Sequence, residues 1–310
     1  MRKDFSLLGM IVLLTSLAAC RGTGPSQVAV QDSAPRLAVL SAYQPELEAL
    51  RDRMQVSDRR VIDGRTYYLG SLGGHEVVLL STGVSMVNAA MTAQTALDHF
   101  AIRAIVFSGI AGGVNPELNI GDVVVPAQWG QYQESVFARQ TADGWDTGWA
   151  AEEFGHFGMM FPQPVAVTRE GGRPDMEETH FWFPVDKGML DAAREIVREA
   201  QLERCAKGGE CLDHDPKVVV GGNGVSGQAF VDNAEYRTWV WDTFQADALD
   251  METAAVAQVA YVNGIPFLAF RSLSDLAGGG PGENEIGIFF QMAAENSARV
   301  LDAFLQGWEQ

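Results

Sequence analysis

The stretch ADALDMETAAVAQVAYVNGIPFLAFRSLSD, residues 246–275, decides the fold. Residues 254–262 are small and apolar and are typical of a buried helix, and the apolar run 266–271 that follows is typical of a buried strand. Carboxylates lie at both ends of this unit, at Asp250, Glu252 and Asp275. A helix and a strand that belong to the core do not need them, so these carboxylates indicate a functional site.

The same alternation of strand and helix runs through the rest of the chain. Apolar runs typical of strands lie at 36–42, 76–81, 104–108, 122–126 and 217–221, and helical spacing lies at 46–54, 87–100, 187–202 and 287–308. This pattern predicts an α/β fold, a three-layer αβα sandwich with a central twisted mixed sheet, largely parallel. Ligands of such sheets bind beyond the carboxyl ends of the strands.

The N-terminus MRKDFSLLGMIVLLTSLAAC combines a basic start with an apolar run, as a secretory signal does. Its last four residues resemble the bacterial lipobox, in which the cysteine becomes lipidated. We expect a lipoprotein-type signal peptide at 1–19, a flexible tether at 20–34 and one domain at 35–310. The protein would then be anchored through Cys20 to a bacterial membrane, facing the periplasm. The alternative is a signal cleaved elsewhere, with the cysteine incidental.

Charge and cysteine content limit the partners. The chain carries 22 basic and 40 acidic residues, a net charge of −18, which disfavours nucleic acid and anionic lipid. We expect no nucleic-acid partner, and membrane contact only through the lipid on Cys20. In an exported chain, Cys205 and Cys211 favour a disulfide over a zinc site with His214. We expect neither a metal nor a cofactor.

Residues capable of chemistry follow several of the predicted strands. They lie in the segments 41–46 (SAYQPE), 82–85 (TGVS), 109–113 (GIAGG), 225–232 (VSGQAFVD) and 272–275 (SLSD). Each segment alone has a structural explanation. We expect the glycine-rich segment 109–113 to be a turn, and such turns usually only connect elements. A carboxylate such as Glu46 is also favoured in the first turn of a helix.

Together and in this order, these segments resemble the nucleoside phosphorylase and nucleosidase superfamily, most closely the 5'-methylthioadenosine/S-adenosylhomocysteine nucleosidases. The resemblance rests on Ser108–Gly113 before Gly121–Val125, on Ser226–Val231, on Asp250–Glu252 and on Arg271–Asp275. It implies a phosphorylase/hydrolase-like fold. It also implies hydrolysis of the N-glycosidic bond of purine nucleosides of the methylthioadenosine, S-adenosylhomocysteine, adenosine or inosine type, releasing free purine and free sugar.

The resemblance implies two catalytic carboxyl groups. Glu46 would activate the attacking water, and Asp275, with Ser274 beside it, would protonate or hydrogen-bond N7 of the purine. The chemistry independently requires such groups, because breaking this bond develops positive charge on the ribose and negative charge on the purine. For Asp275 to donate a proton at neutral pH, its pKa must be raised.

The resemblance also implies a set of substrate-binding residues: Tyr43, Gly112, Phe230, Val231, Met251, Glu252 and Ser274. Glu252 would accept hydrogen bonds from the ribose hydroxyls, and Met251 would pack against the sugar. Phe230 would stack on the purine, and the Val231 backbone would contact its edge. The chain departs from the family pattern at three positions, Tyr43, Ile110 and Gln228, which affects the expected base selectivity.

The nature of the nucleophile separates the enzyme classes. Phosphorylases hold phosphate with arginines and the amides of a glycine turn, whereas residues 81–90 contain no arginine, which favours water. One alternative is a phosphorylase that binds phosphate through Arg139, Arg169 or Arg173. The other is a non-catalytic exported nucleoside-binding or storage-type protein, against which the presence of both Glu46 and Asp275 argues. The resemblance further implies a homodimer in which the neighbouring chain covers the active site.

The middle segment 128–216 is the part that the sequence explains least. It is longer than in the compact bacterial enzymes that the chain resembles. Its large aromatic residues either line an enlarged pocket or only pack together: Trp145, Trp149, Phe181 and Trp182.

Overall fold

The computed structural model of the chain describes residues 32–150, 152–169 and 177–309. The expected signal peptide, the lipobox with Cys20 and Arg173 lie outside the described residues. Within those ranges, no helix combines the length and the apolar composition needed to cross a membrane.

Strands and helices alternate along most of the described chain. The strands are β1 (Asp32–Ser41), β2 (Gln55–Ile62), β3 (Arg65–Leu72), β4 (His75–Ser81), β5 (Phe100–Gly113), β6 (Val123–Val125), β7 (Gln128–Gln131), β8 (Ser135–Phe137), β9 (Arg139–Thr141), β10 (Gly144–Asp146), β11 (Met160–Pro162), β12 (Val165–Val167), β13 (Glu178–His180), β14 (Trp182–Pro184), β15 (Val218–Val220), β16 (Asn223–Ser226), β17 (Ala246–Asp250) and β18 (Phe267–Asp275). The helices are α1 (Gln44–Arg51), α2 (Met86–His99), α3 (Lys187–Ile196), α4 (Ala234–Phe244), α5 (Thr253–Val262) and α6 (Ile286–Gly307).

One large mixed sheet forms the centre of the fold, in the order β14-β7-β16-β17-β5-β1-β4-β3-β2, with β18 beside β5 and β6, and β15 beside β6. β1 pairs in parallel with β4 and β5, and β18 pairs in parallel with β5. β17 pairs with β5 in antiparallel fashion. Helices α1, α3 and α6 pack in one layer, and α2 and α5 in the other. The predicted α/β fold with a central mixed sheet is confirmed.

The central strand β5 corrects one prediction. Residues 109–113 are not a turn, because β5 continues through Gly113 and pairs with β18 along this length. A Cβ atom on Gly109 would lie 1.7 Å from Nη1 of Arg271 and 2.7 Å from Oε1 of Glu46. Glycine therefore serves here to let a buried arginine and a buried carboxylate approach the strand, rather than to reverse the chain.

Several other elements differ from the sequence-based expectation, including helix α4, which was not predicted. The first strand begins at Asp32, inside the expected tether, because the Asp32 carboxylate accepts hydrogen bonds from Arg36 Nε and from the Ala34 amide, both at 2.9 Å. Strands β2 and β3 form a hairpin that the sequence analysis missed. Helix α3 ends at Ile196 and a short 3-10 turn follows, so the helix is shorter than predicted.

The four aromatic residues singled out in the middle segment form a packed pair and an exposed pair. Phe181 and Trp182 belong to an aromatic cluster with Phe154 and Phe244. The other two aromatic residues singled out in the sequence, Trp145 and Trp149, are exposed. The predicted disulfide between Cys205 and Cys211 is confirmed. His214 has two hydrogen-bond partners: its Nε2 lies 3.0 Å from the Ile120 carbonyl oxygen and its Nδ1 lies 3.0 Å from Asp213 Oδ1.

Candidate active site

All nine site residues inferred from the sequence line one cavity of about 410 Å³ at the carboxyl ends of β1, β5, β17 and β18: Tyr43, Glu46, Gly112, Phe230, Val231, Met251, Glu252, Ser274 and Asp275. The structure therefore brings together residues that are more than 200 positions apart in the chain. Their chemical roles stay predictions, and the local geometry below shows what each group can do.

Glu46 is a buried carboxyl group fixed at three points. It lies in the first turn of α1, after the Tyr43 N-cap. Its Oε2 accepts hydrogen bonds from the Ala42 amide at 2.6 Å and the Tyr43 amide at 3.3 Å, and its Oε1 accepts one from the Ile110 amide at 2.9 Å. Burial raises the pKa of Glu46, although the charge of Arg271 and these amides oppose the shift. A fixed carboxylate with a raised pKa is suited to act as a base.

A buried ion pair joins Asp250, which lines the cavity, to Arg271, which does not. Arg271 Nε lies 2.8 Å from Asp250 Oδ2, and both side chains are almost fully buried. Arg271 also donates to the hydroxyl of Thr253, which in turn donates to Asp250. Ser226 donates to the other oxygen of Asp250. The guanidinium lies over the ring of Phe107, 4.1 Å from its centroid. This network joins the ends of β16 and β17 to the middle of β18.

Glu252, two residues after Asp250, faces the cavity with few partners. The described residues supply one hydrogen bond to its side chain, from the Ser85 amide to Oε1 at 2.8 Å. Burial, together with the charge of Asp250, raises the pKa of Glu252 to about 7. Ser85 itself has φ +89°, a conformation that costs a non-glycine residue of order 1–3 kcal/mol. The loop before α2 is thus held in a strained form that aims an amide at Glu252.

Asp275 is the last residue of β18, and it also lines the cavity. Its Oδ2 accepts a hydrogen bond from Ser274 Oγ at 2.8 Å, and its Oδ1 accepts one from the Ala277 amide at 2.8 Å. Burial raises the pKa of Asp275, and these hydrogen bonds together with one from Asn284 oppose the shift. A raised pKa is the condition that a carboxyl group must meet to donate a proton near neutral pH.

The residues expected to bind the base lie on the loop between β16 and α4. Phe230 is 56% exposed, and its ring is available to a ligand, whereas Val231 is buried. Three apolar residues of the cavity lining were missed by the sequence analysis: Val84, Ile286 and Phe290. The ring centroid of Phe290 lies 6.5 Å from that of Tyr43. No motif marks these apolar positions in the sequence.

A family model described as the phosphorylase superfamily matches residues 36–306. The chain belongs to the phosphorylase superfamily. It is 30% identical over 267 residues to a 5'-methylthioadenosine/S-adenosylhomocysteine nucleosidase of Mycobacterium bovis, covering 85% of this chain and 94% of the relative. It is 27% identical over 272 residues to the enzyme of the same description from Tolumonas auensis, covering 87% and 99%.

A solved structure gives the same result for the fold. The 5'-methylthioadenosine/S-adenosylhomocysteine nucleosidase of S. pneumoniae, solved with a transition-state inhibitor, matches with a TM-score of 0.65 and 26% identity. The match covers 88% of this chain and all of that one. The family resemblance inferred from the sequence motifs is confirmed.

Within the phosphorylase superfamily, the charges around this cavity favour the hydrolytic branch. Among the described residues that line it, the charged groups are carboxylates, and no arginine, lysine or histidine is present. At the N-terminus of α2, where backbone amides favour an anion, the carboxylate of Glu252 already accepts the Ser85 amide. A phosphate ion would meet these carboxylates without a basic partner.

The two described arginines proposed for a phosphate site lie elsewhere. Arg139 is exposed on β9. The guanidinium of Arg169 lies over the ring of Tyr261, 4.9 Å from its centroid. Neither lines the cavity.

Proposed function

We propose that this protein hydrolyses the N-glycosidic bond of purine nucleosides and releases free purine and free sugar. The observation that carries the proposal is the cavity itself, which is lined mainly by apolar residues and by three buried carboxyl groups with raised pKa values, Glu46, Glu252 and Asp275. Its volume of about 410 Å³ suits a nucleoside.

The reaction follows from the positions of these groups. Asp275 donates its proton to N7 of the purine, so the base leaves C1′ as a neutral molecule. Positive charge develops on the ribose and is stabilised by nearby carboxylates. Glu46 accepts the proton of the water that attacks C1′, and Glu252 binds the ribose hydroxyls. The bond from C1′ to N9 breaks, and a bond from C1′ to the water oxygen forms. Glu46 then releases its proton to solvent, and the proton lost by Asp275 is replaced from solvent.

The substrate class follows from the relatives and from the cavity ends. The M. bovis and T. auensis relatives are named for 5'-methylthioadenosine and S-adenosylhomocysteine, both adenine nucleosides with a thioether at the 5′ carbon. The apolar part of the cavity lining, which includes the contacting rings of Tyr43 and Phe290, would accept such a group. Phe230 and Asp275 suit a bicyclic base that carries an N7.

A panel of nucleosides in phosphate-free buffer tests the proposal. Purified protein is incubated with methylthioadenosine, S-adenosylhomocysteine, adenosine, inosine and uridine, and the products are separated by chromatography. We expect release of free base from purine nucleosides and none from uridine. Cleavage of none of them, or equal cleavage of uridine, would contradict the proposal.

The protein is further proposed to form a homodimer. Support comes from exposed apolar side chains beside the cavity mouth: Val84 and Met91 are each 46% exposed and Val87 is 68% exposed. Val84 also lines the cavity, so a second copy seated on this surface would cover the site. Sedimentation velocity is expected to show a dimer. A fully active monomer would contradict this part of the proposal.

The location remains the one expected from the N-terminus, a bacterial membrane to which Cys20 is attached by lipid, with the domain facing the periplasm. The disulfide between Cys205 and Cys211 supports an oxidising compartment. Mass spectrometry of protein expressed with its own leader is expected to find a lipidated Cys20 as the first residue. A mature terminus elsewhere would contradict the assignment.

A further inference from the structure

The loop that presents Phe230 has little backbone support of its own. Its backbone is anchored by the Gly227 amide, which donates to the Asp250 carbonyl at 3.0 Å, and by the Asn233 amide, which donates to the Ala277 carbonyl at 3.0 Å. Residues 228–230 between these anchors are exposed. Since Phe230 is 56% exposed, packing against the core does not hold its ring in place.

A glutamine of the middle segment supplies the missing support. The side-chain Oε1 of Gln133 accepts a hydrogen bond from the Gln228 amide at 2.6 Å and another from the Ala229 amide at 3.2 Å. The loop also approaches Gln133 closely, because a Cβ atom on Gly227 would lie 2.5 Å from Gln133 Oε1. Gln133 thus contacts the two residues that directly precede Phe230.

The Gln133 amide is itself oriented by aromatic residues. Its Nε2 donates to the hydroxyls of Tyr132 at 3.2 Å and Tyr236 at 3.4 Å. Tyr132 is fully buried, and both tyrosines contact Trp239. Because Nε2 faces two hydroxyls, Oε1 is directed at the loop. The aromatic cluster that the middle segment forms with α4 therefore fixes which end of the amide reaches Gln228 and Ala229.

The loop is also joined to the sugar side of the cavity. The hydroxyl of Ser85 donates to Oε1 of the Gln228 side chain at 2.5 Å, while the amide of Ser85 donates to Glu252. A displacement of Gln228 would therefore change the hydrogen bond of Ser85. The chain of contacts runs from Gln133 through the loop to the residue that orients Glu252.

We propose that Gln133 is a positioning residue that holds the loop 227–231, and with it the ring of Phe230, in the conformation that binds the purine. The inference rests on the proposed function for the identity of the ligand. It also gives the middle segment a role: the aromatic cluster that it forms with α4 orients Gln133, and Gln133 holds the base-binding loop. The contact between Phe230 and the base stabilises the bound substrate and the transition state equally. Loss of this contact therefore raises KM more than it lowers kcat.

Three variants separate this role from general stability. Gln133→Leu keeps the size of the side chain and removes both hydrogen bonds to the loop. Gln133→Glu retains an oxygen that accepts from the two amides and a second that accepts from the tyrosine hydroxyls. Gln131→Leu is the matched control, because Gln131 lies on the same middle segment and its side chain donates to Gln258 of α5 instead of bonding the loop.

Amide hydrogen exchange measures the loop without any substrate. Two hydrogen bonds of ordinary strength correspond to about a tenfold change, so exchange at residues 228 and 229 is expected to be about tenfold faster in Gln133→Leu. We expect exchange near the wild-type rate in Gln133→Glu and in Gln131→Leu. Unchanged exchange in Gln133→Leu would overturn the inference, whether or not the protein cleaves a nucleoside.

Kinetics then test the consequence for the base. With the best nucleoside of the panel, KM is expected to rise about tenfold in Gln133→Leu while kcat stays within about threefold. The increase should be absent in Gln133→Glu and Gln131→Leu. In a Phe230→Ala background, Gln133→Leu should add little, because both changes remove the same interaction. An unchanged KM, or a full additional tenfold rise in that background, would overturn the inference. A wild-type protein that cleaves nothing would contradict the proposed function alone.

Discussion

Asp250 and Glu252 lie two residues apart at the end of β17, yet the fold surrounds their carboxyl groups very differently. Asp250 is paired with Arg271 and accepts hydrogen bonds from Ser226 and Thr253. Glu252 is equally buried, but within the described residues its side chain has the Ser85 amide as its hydrogen-bond donor. The folded protein thus supplies Asp250 with several partners, whereas most of the Glu252 carboxylate remains available to a ligand in the cavity.

The difference separates structural from functional carboxyl groups. A buried carboxylate with a full set of partners belongs to the framework, whereas one with a raised pKa and a free face in a cleft is a candidate for binding or catalysis. Glu46, Glu252 and Asp275 combine a raised pKa with a place in the cavity lining and are assigned to the site. Asp250 also lines the cavity, but its ion pair with Arg271 assigns it to the framework. The comparison predicts effects of opposite sign for neutralising the two groups.

The largest effect is expected from Asp250→Asn. The change leaves Arg271 buried without its charged partner, and breaking a buried pair in this way costs about 3–5 kcal/mol of unfolding free energy. Urea denaturation followed by circular dichroism measures it. Asp242→Asn, an exposed position on α4, is the control and should change the value by less than about 0.5 kcal/mol. A loss below about 1 kcal/mol for Asp250→Asn would contradict the structural role.

Glu46→Gln should leave the protein folded and reduce kcat at least about a hundredfold, because the amide cannot take a proton from water. Steady-state kinetics with the best nucleoside measure this loss. Glu48→Gln, an exposed position on the same helix, removes the same charge and should retain wild-type turnover. Near-normal turnover in Glu46→Gln would show that another group activates the nucleophile.

The architecture and the positions of the site were accessible from the sequence, because they depend on local signals. Apolar strands alternate with helices, and the motif residues lie at or just after the carboxyl ends of the strands. The missed hairpin of β2 and β3 also carried a signal, since Asp63 and Gly64 form its turn with positive φ values and such a pair favours a tight hairpin.

What the sequence could not reveal depends on distant partners. Gly109 was expected in a turn, but it lies in strand β5. Glycine is needed there because Arg271 and Glu46 occupy the space that a side chain would take. Asp250 could not be distinguished from Glu252, because its partner Arg271 is 21 positions away and meets it only in the folded sheet. Gln133 belongs to no motif, and its contact with the loop exists only once the aromatic cluster has packed.

Glu252→Gln should change stability in a direction opposite to Asp250→Asn. The pKa of Glu252 is about 7 in the folded protein and 4.5 in its ordinary state. Between these values the folded state binds the proton more tightly than the unfolded state, so the unfolding free energy falls as pH rises. The glutamine avoids this fall while keeping an acceptor for the Ser85 amide.

We therefore expect Glu252→Gln to be more stable than wild type by about 1–3 kcal/mol at pH 8 and to differ little at pH 4. It should also bind nucleosides less tightly. Urea denaturation at the two pH values measures the difference, with Glu48→Gln as the control for net charge. Equal stability at pH 8 would show that Glu252 is not held in an unfavourable charged state.

The dependence on phosphate tests the central claim, that a cavity with carboxylates and no basic group uses water as its nucleophile. Purified protein is assayed with methylthioadenosine and adenosine in phosphate-free buffer and again after addition of phosphate, and the sugar products are identified by mass spectrometry. We predict the same rate in both conditions and only the free sugar as product. A sugar 1-phosphate that forms only when phosphate is present would contradict the account.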